Sequence, residues 1–292
     1  MSKLDTFLQE KQQRSEEWKA LKTAERDELN TMSDDAIMRT TRDPLAYQQY
    51  LDVQAENPRY SASNVLLVMA QNPEVSQFNS LNVWNRLGRT VKRDEEGIKL
   101  RVTDPYVRDG KEYRGYKIGR VFDISQTTGK GGVPKLTLRE NTPEMDTALR
   151  KLLDLSPVKI KTDPASRRDA FYDPNTQEIT VSTNLTDTHT FSALAREITL
   201  ASIHNHGQYP YYSREDCMLD ASSVSYMLSR SFGLSAERPN VSNLTSSFEG
   251  MEVQDRRGVL DSLQQLFQRM QWDIQREVSP QERKVEHTQP AR

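Results

Sequence analysis

Hydrophobic residues in the first 30 positions recur mostly at the three- and four-residue spacing of a helix face, among many charges and without glycine or proline. This pattern predicts one long amphipathic helix. Further helices are predicted at residues 34–41, 44–54 and 62–71. Pro44 suits a first helical turn, and Asn72-Pro73 ends the last of these helices.

Short runs of β-branched and aromatic residues follow at 98–102, 113–118 and 121–124. Asp109-Gly110 is typical of the turn between two antiparallel strands. The sequence therefore predicts a small antiparallel sheet. Residues 126–145 are rich in glycine, proline and small polar residues, which favours an irregular connection between domains.

The second half of the chain contains both helix-forming and strand-forming patterns. Helices are predicted near 147–155, 190–204, 215–232 and 256–277, a strand at 158–161, and a hairpin between Phe171 and Ile179. We therefore expect an α+β fold of two domains, the first a helical region with a small antiparallel sheet. The predicted divisions are a helical extension at 1–43, a first domain at 44–130, a second domain at 146–277 and a disordered tail at 278–292.

Composition and charge narrow the class of protein. The single cysteine, Cys217, excludes an internal disulfide framework and favours the reducing cytoplasm. No stretch approaches the roughly 18 apolar residues of a membrane span, so we expect no membrane partner. The net charge is only -2, but residues 84–135 contain 13 Lys and Arg against 7 Asp and Glu. Positive charge is thus concentrated in the predicted sheet region.

This basic region also contains aromatic residues, and single-stranded nucleic acid is bound by cations along the phosphates plus aromatic faces under the bases. The candidate binding residues here are Trp84, Arg86, Arg89, Lys92, Arg93, Lys99, Arg114 and Lys117. The other interpretation is that the aromatics form the core, as the helical position of Trp84 suggests, and that the charges form a solvated face.

The predicted helix at 190–204 carries a core-facing apolar stripe, with Arg196, Glu197, Leu200 and His204 on a neighbouring arc. A zinc peptidase helix needs H-E-x-x-H, two imidazoles that share the ion and a glutamate that activates water. The same window here is Arg196-Glu197-Ile198-Thr199-Leu200. A guanidinium has no available lone pair and leucine has no donor atom, so only the base, Glu197, remains.

Several segments together resemble the ArdC-like antirestriction proteins of conjugative elements, which join a single-stranded-DNA-binding domain to a zincin-like metallopeptidase domain. The resemblance covers roughly residues 45–277 and rests on the segments at 60–73, 83–100, 116–129, 170–181, 188–204 and 219–234. It implies that Tyr60 and Asn64 contact DNA or brace the sheet that does. It also implies that Arg196 and Leu200 occupy the two histidine positions and Asp220 the position of a ligand glutamate. Zinc is the cofactor expected in the family, but with these ligands missing we predict no cofactor and no metal ligands.

Two interpretations of the altered centre stay open. Glu197 can form a structural ion pair beside Arg196, with Arg214 or Arg230 near, and Arg196 can bridge to Asp220 across the former metal position. Alternatively, an atypical metal set can draw on the donors His204, His206, Cys217 and Asp220.

Three functions follow. The leading hypothesis is a single-stranded-DNA-binding, antirestriction-like accessory protein of a mobile element, with an inactive zincin-like domain that is a scaffold or a surface for a protein partner. The alternative is an active metallopeptidase with an atypical site around Glu197, His204 and Asp220. The third is a purely structural or protein-interaction role through the long charged helices.

Overall fold

The computed structural model describes residues 3–130 and 133–279. The main elements follow the chain in the order α1 (Lys3–Thr40), α2 (Pro44–Glu56), α3 (Ala62–Gln71), β1 (Phe78–Asn79), α4 (Leu81–Arg86), β2 (Thr90–Val91), β3 (Ile98–Arg108), β4 (Lys111–Asp123), β5 (Thr127–Thr128), α5 (Pro143–Leu155), β6 (Lys159–Thr162), β7 (Ala170–Asp173), β8 (Glu178–Val181), α6 (Asp187–His204), α7 (Arg214–Ser231), α8 (Leu244–Ser247) and α9 (Val253–Val278). The predicted α+β class is confirmed. Within the described ranges, no helix combines the length and apolarity that crossing a membrane requires.

The chain divides into two compact units. Unit 1 consists of the described residues of 1–38 and 66–129, and unit 2 of those of 39–65 and from 130 onwards. This division differs from the predicted boundary at residue 43, because α2 groups with the C-terminal half. Its side chains Tyr47 and Leu51 are buried, and the Tyr47 hydroxyl lies 3.0 Å from the Ser223 hydroxyl on α7. Most of the tail predicted at 278–292 lies outside the described residues.

In unit 1, the two helices predicted in the first 41 residues form one continuous helix, α1. Its C-terminal half packs, with Leu29 and Ile37 buried, whereas its N-terminal apolar side chains are exposed. Polar contacts attach the packed half to the sheet: Arg101 donates to the Ser33 hydroxyl at 2.7 Å. An ion pair of 2.8 Å between Lys99 and Glu25 adds a second attachment.

The sheet of unit 1 has the order β1-β4-β3, and its main feature is a long antiparallel hairpin. Strands β3 and β4 pair from Ile98 opposite Val121 to Arg108 opposite Lys111. The predicted two-residue turn is confirmed, since Asp109 and Gly110 both have positive φ, 52° and 71°. The break predicted between residues 118 and 121 is wrong, because Gly119 keeps its place in the ladder opposite Leu100.

Unit 2 builds a small mixed sheet and a helical layer. The predicted hairpin is observed as β7 antiparallel to β8, and β6 adds to β8 in parallel, which gives the order β6-β8-β7. Helices α6 and α7 begin at side-chain caps, where Thr186 accepts from the His189 N–H and Ser213 from the Asp216 N–H. The buried rings of Phe191 and Phe232 meet edge to face with centroids 6.0 Å apart.

Candidate functional sites: a buried carboxylate cluster and an exposed hairpin

Helix α6 carries residues Arg196 to Leu200 into the core of unit 2. The predicted apolar stripe of Phe191, Leu194, Ile198 and Ala201 is buried, as expected. Glu197 and Leu200 are also buried, both at 0% exposure. An ionised carboxylate at this depth requires several donors to replace its lost hydration.

Four donors supply that replacement, and we call Glu197 with Arg214, Arg196 and Tyr172 the Glu197 cluster. Arg214 on α7 makes a two-pronged ion pair, with its two terminal nitrogens 2.7 and 2.8 Å from the two carboxylate oxygens. Arg196 Nε donates to Oε1 at 3.1 Å, and the Tyr172 backbone N–H on β7 donates to Oε2 at 2.8 Å. The carboxylate thus ties α6 to α7 and to the sheet.

Electrostatics favour this closed arrangement. Burial by itself lowers the pKa of Arg214, but hydrogen bonds and charge pairing with Glu197 outweigh burial, so the pKa lies above its ordinary value. The Arg214 guanidinium also lies over the Phe171 ring, 4.6 Å from its centroid. The predicted structural ion pair is therefore observed, with Arg214 and not Arg230 as the main partner.

The predicted bridge from Arg196 to Asp220 is wrong. Arg196 pairs with its neighbour Glu197, and Asp220 forms no ion pair within the described part of the chain. Burial raises the pKa of the half-buried Asp220 carboxyl to about 7. Asp220 is therefore a carboxyl poised between its neutral and charged forms near neutral pH.

The two histidines of the atypical metal hypothesis lie in different surroundings. His204 is buried, and its Nδ1 lies 2.7 Å from the Tyr172 hydroxyl. The His204 ring also packs on Tyr212 with centroids 4.5 Å apart. His206 is exposed in the turn after α6, with a positive φ of 55°. Cys217 is buried, which raises the pKa of its thiol and disfavours the nucleophilic thiolate.

The β3–β4 hairpin has the opposite character, because its distal half is exposed on both faces. Tyr106 and Tyr113 stand opposite each other on one face and stack, with centroids 5.4 Å apart and planes 16° apart. Gly115 makes room for this stack, since a Cβ there would lie 3.0 Å from the Tyr106 ring. Tyr116, on the other face, is 59% exposed.

Most of the predicted basic residues of unit 1 have internal partners. Arg89 Nε donates to the Thr127 hydroxyl at 2.7 Å, and Lys92 donates to the Ser125 carbonyl at 2.6 Å. Lys99 pairs with Glu25, and Lys117 pairs with Asp104 at 2.9 Å in an exposed ion pair. Because these cations already contact groups of their own unit, fewer of them are available to bind a ligand than their number suggests.

The other candidates divide by exposure. The prediction that Trp84 binds nucleic acid is wrong. Trp84 is fully buried and its Nε1 donates to the Phe122 carbonyl at 2.8 Å, so neither face of its ring is open to a base. Arg86 and Arg93 are exposed and form no ion pair among the described residues. Arg114 lies in β4 opposite Pro105, and its side chain is outside the described part.

Tyr60 and Asn64 belong to unit 2, not to the unit with the hairpin. Both are half-buried, and burial raises the pKa of Tyr60 to about 12. Sequence reasoning missed the tip residues Arg108 and Lys111 as candidates. The Asp109-Gly110 turn could have identified them, because it places both residues at the exposed end of the hairpin.

A similar arrangement of elements occurs in a known structure. The Mn(II)-bound crystal structure of the antirestriction protein ArdC from plasmid R388 aligns with a TM-score of 0.50 and 17% identity, covering 86% of this chain and 98% of that chain. The chain has the ArdC fold. The metal-free crystal structure of ArdC gives a TM-score of 0.48 and 18% identity, over 75% of this chain and 84% of that one. No protein-family model matches the sequence, and no curated protein matches it.

The residues of this chain do not fit the metal that the ArdC fold suggests. In the sequence resemblance to ArdC-like proteins, Arg196 and Leu200 stand at the histidine positions, and neither side chain can donate a lone pair to a cation. Within residues 3–130 and 133–279, no group of three or more His, Cys, Asp or Glu side chains is arranged to hold a metal ion. Two guanidinium groups also pair with the Glu197 carboxylate, which leaves it less able to bind a cation.

Proposed function

We propose that this protein is a single-stranded-DNA-binding, antirestriction-like accessory protein of a mobile genetic element, with a zincin-like unit that has lost peptidase chemistry. The antirestriction role is suggested by the fold shared with ArdC, which is named for that activity. Fold alone does not determine function, so the proposal depends on the two sites. The hairpin supports the proposed DNA binding, and the Glu197 cluster supports the proposed loss of peptidase chemistry.

The exposed tyrosines of the hairpin carry the DNA-binding proposal. Single-stranded bases stack on aromatic faces with little sequence preference, at about 1 to 3 kcal/mol per base. Tyr106, Tyr113 and Tyr116 are 51%, 42% and 59% exposed, and so many exposed aromatic rings on one hairpin are typical of a binding surface. The same hairpin ends in Arg108 and Lys111, which can contact phosphates on either side of a stacked base.

The Glu197 cluster supports a non-catalytic unit 2. A general base must accept a proton from a metal-bound water, and this requires a free lone pair aimed at that water. Both oxygens of Glu197 instead accept from Arg214, with Arg196 and Tyr172 as further donors. The carboxylate acts here as a cross-link between α6, α7 and β7. Unit 2 is then a scaffold or a docking surface for a protein partner, in a protein that we place in the cytoplasm.

The decisive experiment is a titration of labelled oligothymidine followed by fluorescence anisotropy at increasing salt. We expect binding at about 50 mM salt that weakens steeply, with a log-log slope of about -0.7 per phosphate contact. The variant Arg108→Gln/Lys111→Gln should reduce the slope by about 1.4, the contribution of two contacts. Absence of binding at low salt would remove the proposal.

A matched control removes the same charge elsewhere. Arg150→Gln/Arg269→Gln neutralises two exposed arginines of α5 and α9 and should leave the slope unchanged. An equal effect of the two double variants would mean that net charge, and not the hairpin, determines binding.

The peptidase alternative is tested separately by elemental analysis of protein purified without chelator. We expect zinc and manganese far below one equivalent per chain. A stoichiometric metal retained through gel filtration, and lost on substitution of His204 or Asp220, would favour the enzyme.

A further inference from the structure

A second polar site lies in unit 2, away from the Glu197 cluster. A concave pocket of about 580 Å³ opens beside the start of α9. This volume is in the range of small-molecule binding sites. Its lining includes Arg42, Thr245, Ser246, Glu249 and Arg256.

Arg256 is a buried cation without a carboxylate partner. It is 5% exposed and donates to the Met251 and Phe248 carbonyls at 2.9 and 2.7 Å and to the Thr41 hydroxyl at 2.7 Å. All three acceptors are neutral, and no acidic group of the described chain lies within ion-pair distance of Arg256. These bonds fix the orientation of the guanidinium and use three of its five N–H groups.

No carboxylate of the described chain pairs directly with Arg256. Burying an unpaired charge is costly, so native proteins usually provide a counter-ion. Burial and the positive charge of nearby Arg42 lower the pKa of Arg256, and the negative charge of Glu252 offsets them only in part. Arg42 is exposed and forms no ion pair within the described ranges. Two guanidinium groups therefore line one concavity, where a bound anion would relieve their mutual repulsion.

We propose that this pocket binds the phosphate group of a small phosphorylated ligand. The planar fork of a guanidinium matches two phosphate oxygens, and two such forks can share one group. The hydroxyls of Thr245 and Ser246 line the same pocket and can complete the oxygen coordination. The remaining volume accommodates the rest of a ligand, which a bare inorganic ion would leave empty.

Glu249 provides an internal check on this assignment. Its carboxylate lines the pocket without pairing to either arginine in the described structure. It therefore reduces the attraction for a phosphate without closing the site. Removing its charge should tighten phosphate binding several-fold, whereas a purely structural role for the two arginines predicts no binding to tighten.

The test is calorimetric titration of the full chain with inorganic phosphate, a deoxynucleoside 5′-monophosphate and the corresponding unphosphorylated nucleoside. We expect both phosphate compounds to bind and the nucleoside not to bind. Tighter binding of the nucleotide identifies a phosphorylated small molecule as the ligand, and equal binding identifies free phosphate. Absence of binding by both phosphate compounds at millimolar concentration overturns the proposal.

Arg42 is the position for a variant, because replacing Arg256 would also remove three hydrogen bonds from the fold. Arg42→Gln should weaken phosphate binding about tenfold, the loss of one charge-assisted hydrogen bond. The control Arg269→Gln also removes one positive charge, about 20 Å beyond Arg256 along α9, and should not change phosphate binding. Equal weakening by the two substitutions would reduce the site to a general charge effect.

This site is independent of DNA binding by the hairpin. All of its residues belong to unit 2, whereas the hairpin belongs to unit 1. The hairpin variant Arg108→Gln/Lys111→Gln should therefore leave phosphate binding unchanged, and loss of phosphate binding in that variant would count against the pocket.

Discussion

The Glu197 cluster and the β3–β4 hairpin both contain arginine and carboxylate side chains, but use them in opposite ways. In the cluster, burial forces every charge to find a partner, so Glu197 is saturated by Arg214, Arg196 and a backbone N–H. At the hairpin tip, water solvates the charges, so the cations do not depend on a close partner: Arg108 lies 3.7 Å from Asp109 in an ion pair whose side chains are both largely exposed. The buried cluster therefore stabilises the fold, whereas the exposed aromatic and basic side chains of the hairpin remain accessible to a ligand.

The largest effect on stability is expected from Arg214→Met. The substitution leaves Glu197 buried without its two-pronged partner and should cost about 3–5 kcal/mol in the free energy of unfolding, measured with urea. Arg238→Met breaks a more exposed pair with Asp52, 2.7 Å long, and should cost under about 1 kcal/mol. Adding Glu197→Gln to Arg214→Met should recover part of the loss. Equal costs for the two arginines would mean that the cluster is not a cross-link.

The next effect concerns the tyrosine stack of the hairpin. Tyr106→Ala/Tyr113→Ala should weaken single-stranded DNA binding at least about tenfold, because each base stack contributes about 1 to 3 kcal/mol. Tyr209→Ala/Tyr211→Ala removes an exposed tyrosine pair of unit 2, with centroids 6.3 Å apart, and should not affect binding. Anisotropy titrations of both variants decide the matter, and equal affinities would contradict the role of the hairpin.

A smaller effect is expected on the pH dependence of the stability of unit 2. The pKa of Asp220 is raised from 3.8 to about 7, so folding favours the protonated form. This contribution is fully present below about pH 4 and is lost as the pH rises through 7. Asp220→Asn should flatten this decline and stabilise unit 2 at pH 8 by on the order of 1–2 kcal/mol, a figure reduced for partial exposure.

Urea unfolding of the wild type and of Asp220→Asn between pH 4 and 8 measures this contribution. Parallel curves for the two proteins would show that Asp220 keeps an ordinary pKa. Asp216→Asn, an exposed aspartate of the first turn of α7, is the control.

The smallest effect is expected from the exposed Lys117 and Asp104 pair on the hairpin. Asp104→Asn should change the free energy of unfolding by less than about 1 kcal/mol, because both side chains are more than half exposed. The same change removes a negative charge beside the tyrosine stack, so affinity for single-stranded DNA should rise a few-fold at low salt. Weaker DNA binding in this variant would place the DNA elsewhere.

Local chemistry made several features predictable. The Asp109-Gly110 turn, the Pro44 helix start and the apolar stripe of α6 depend on neighbouring residues, and all three are observed. The length of the hairpin was not predictable in the same way. Gly115 and Gly119 are typical strand breakers, yet ladder pairing across the hairpin keeps both in β4.

The roles of aromatic residues depended on burial that spacing alone does not determine. Trp84 and Tyr106 both come from the same basic, aromatic segment. Trp84 packs fully inside unit 1, whereas Tyr106 stands near the end of a hairpin, where it stacks on Tyr113 and stays half exposed. A single sequence shows the residue types but not which ring the core encloses.

The sequence alone determined that residues 196–200 are not a zinc-binding H-E-x-x-H motif, because Arg196 and Leu200 have no lone pair to offer regardless of their position. It also determined that a glutamate remains between them. Only the tertiary structure decided which partner that glutamate takes. Arg214, 2.7 Å away in space, begins the next helix, and the packing of α7 on α6 brings it there while leaving Asp220 unpaired. A buried charge pairs with what the packing brings within reach, and that proximity is not encoded in any local spacing of residues.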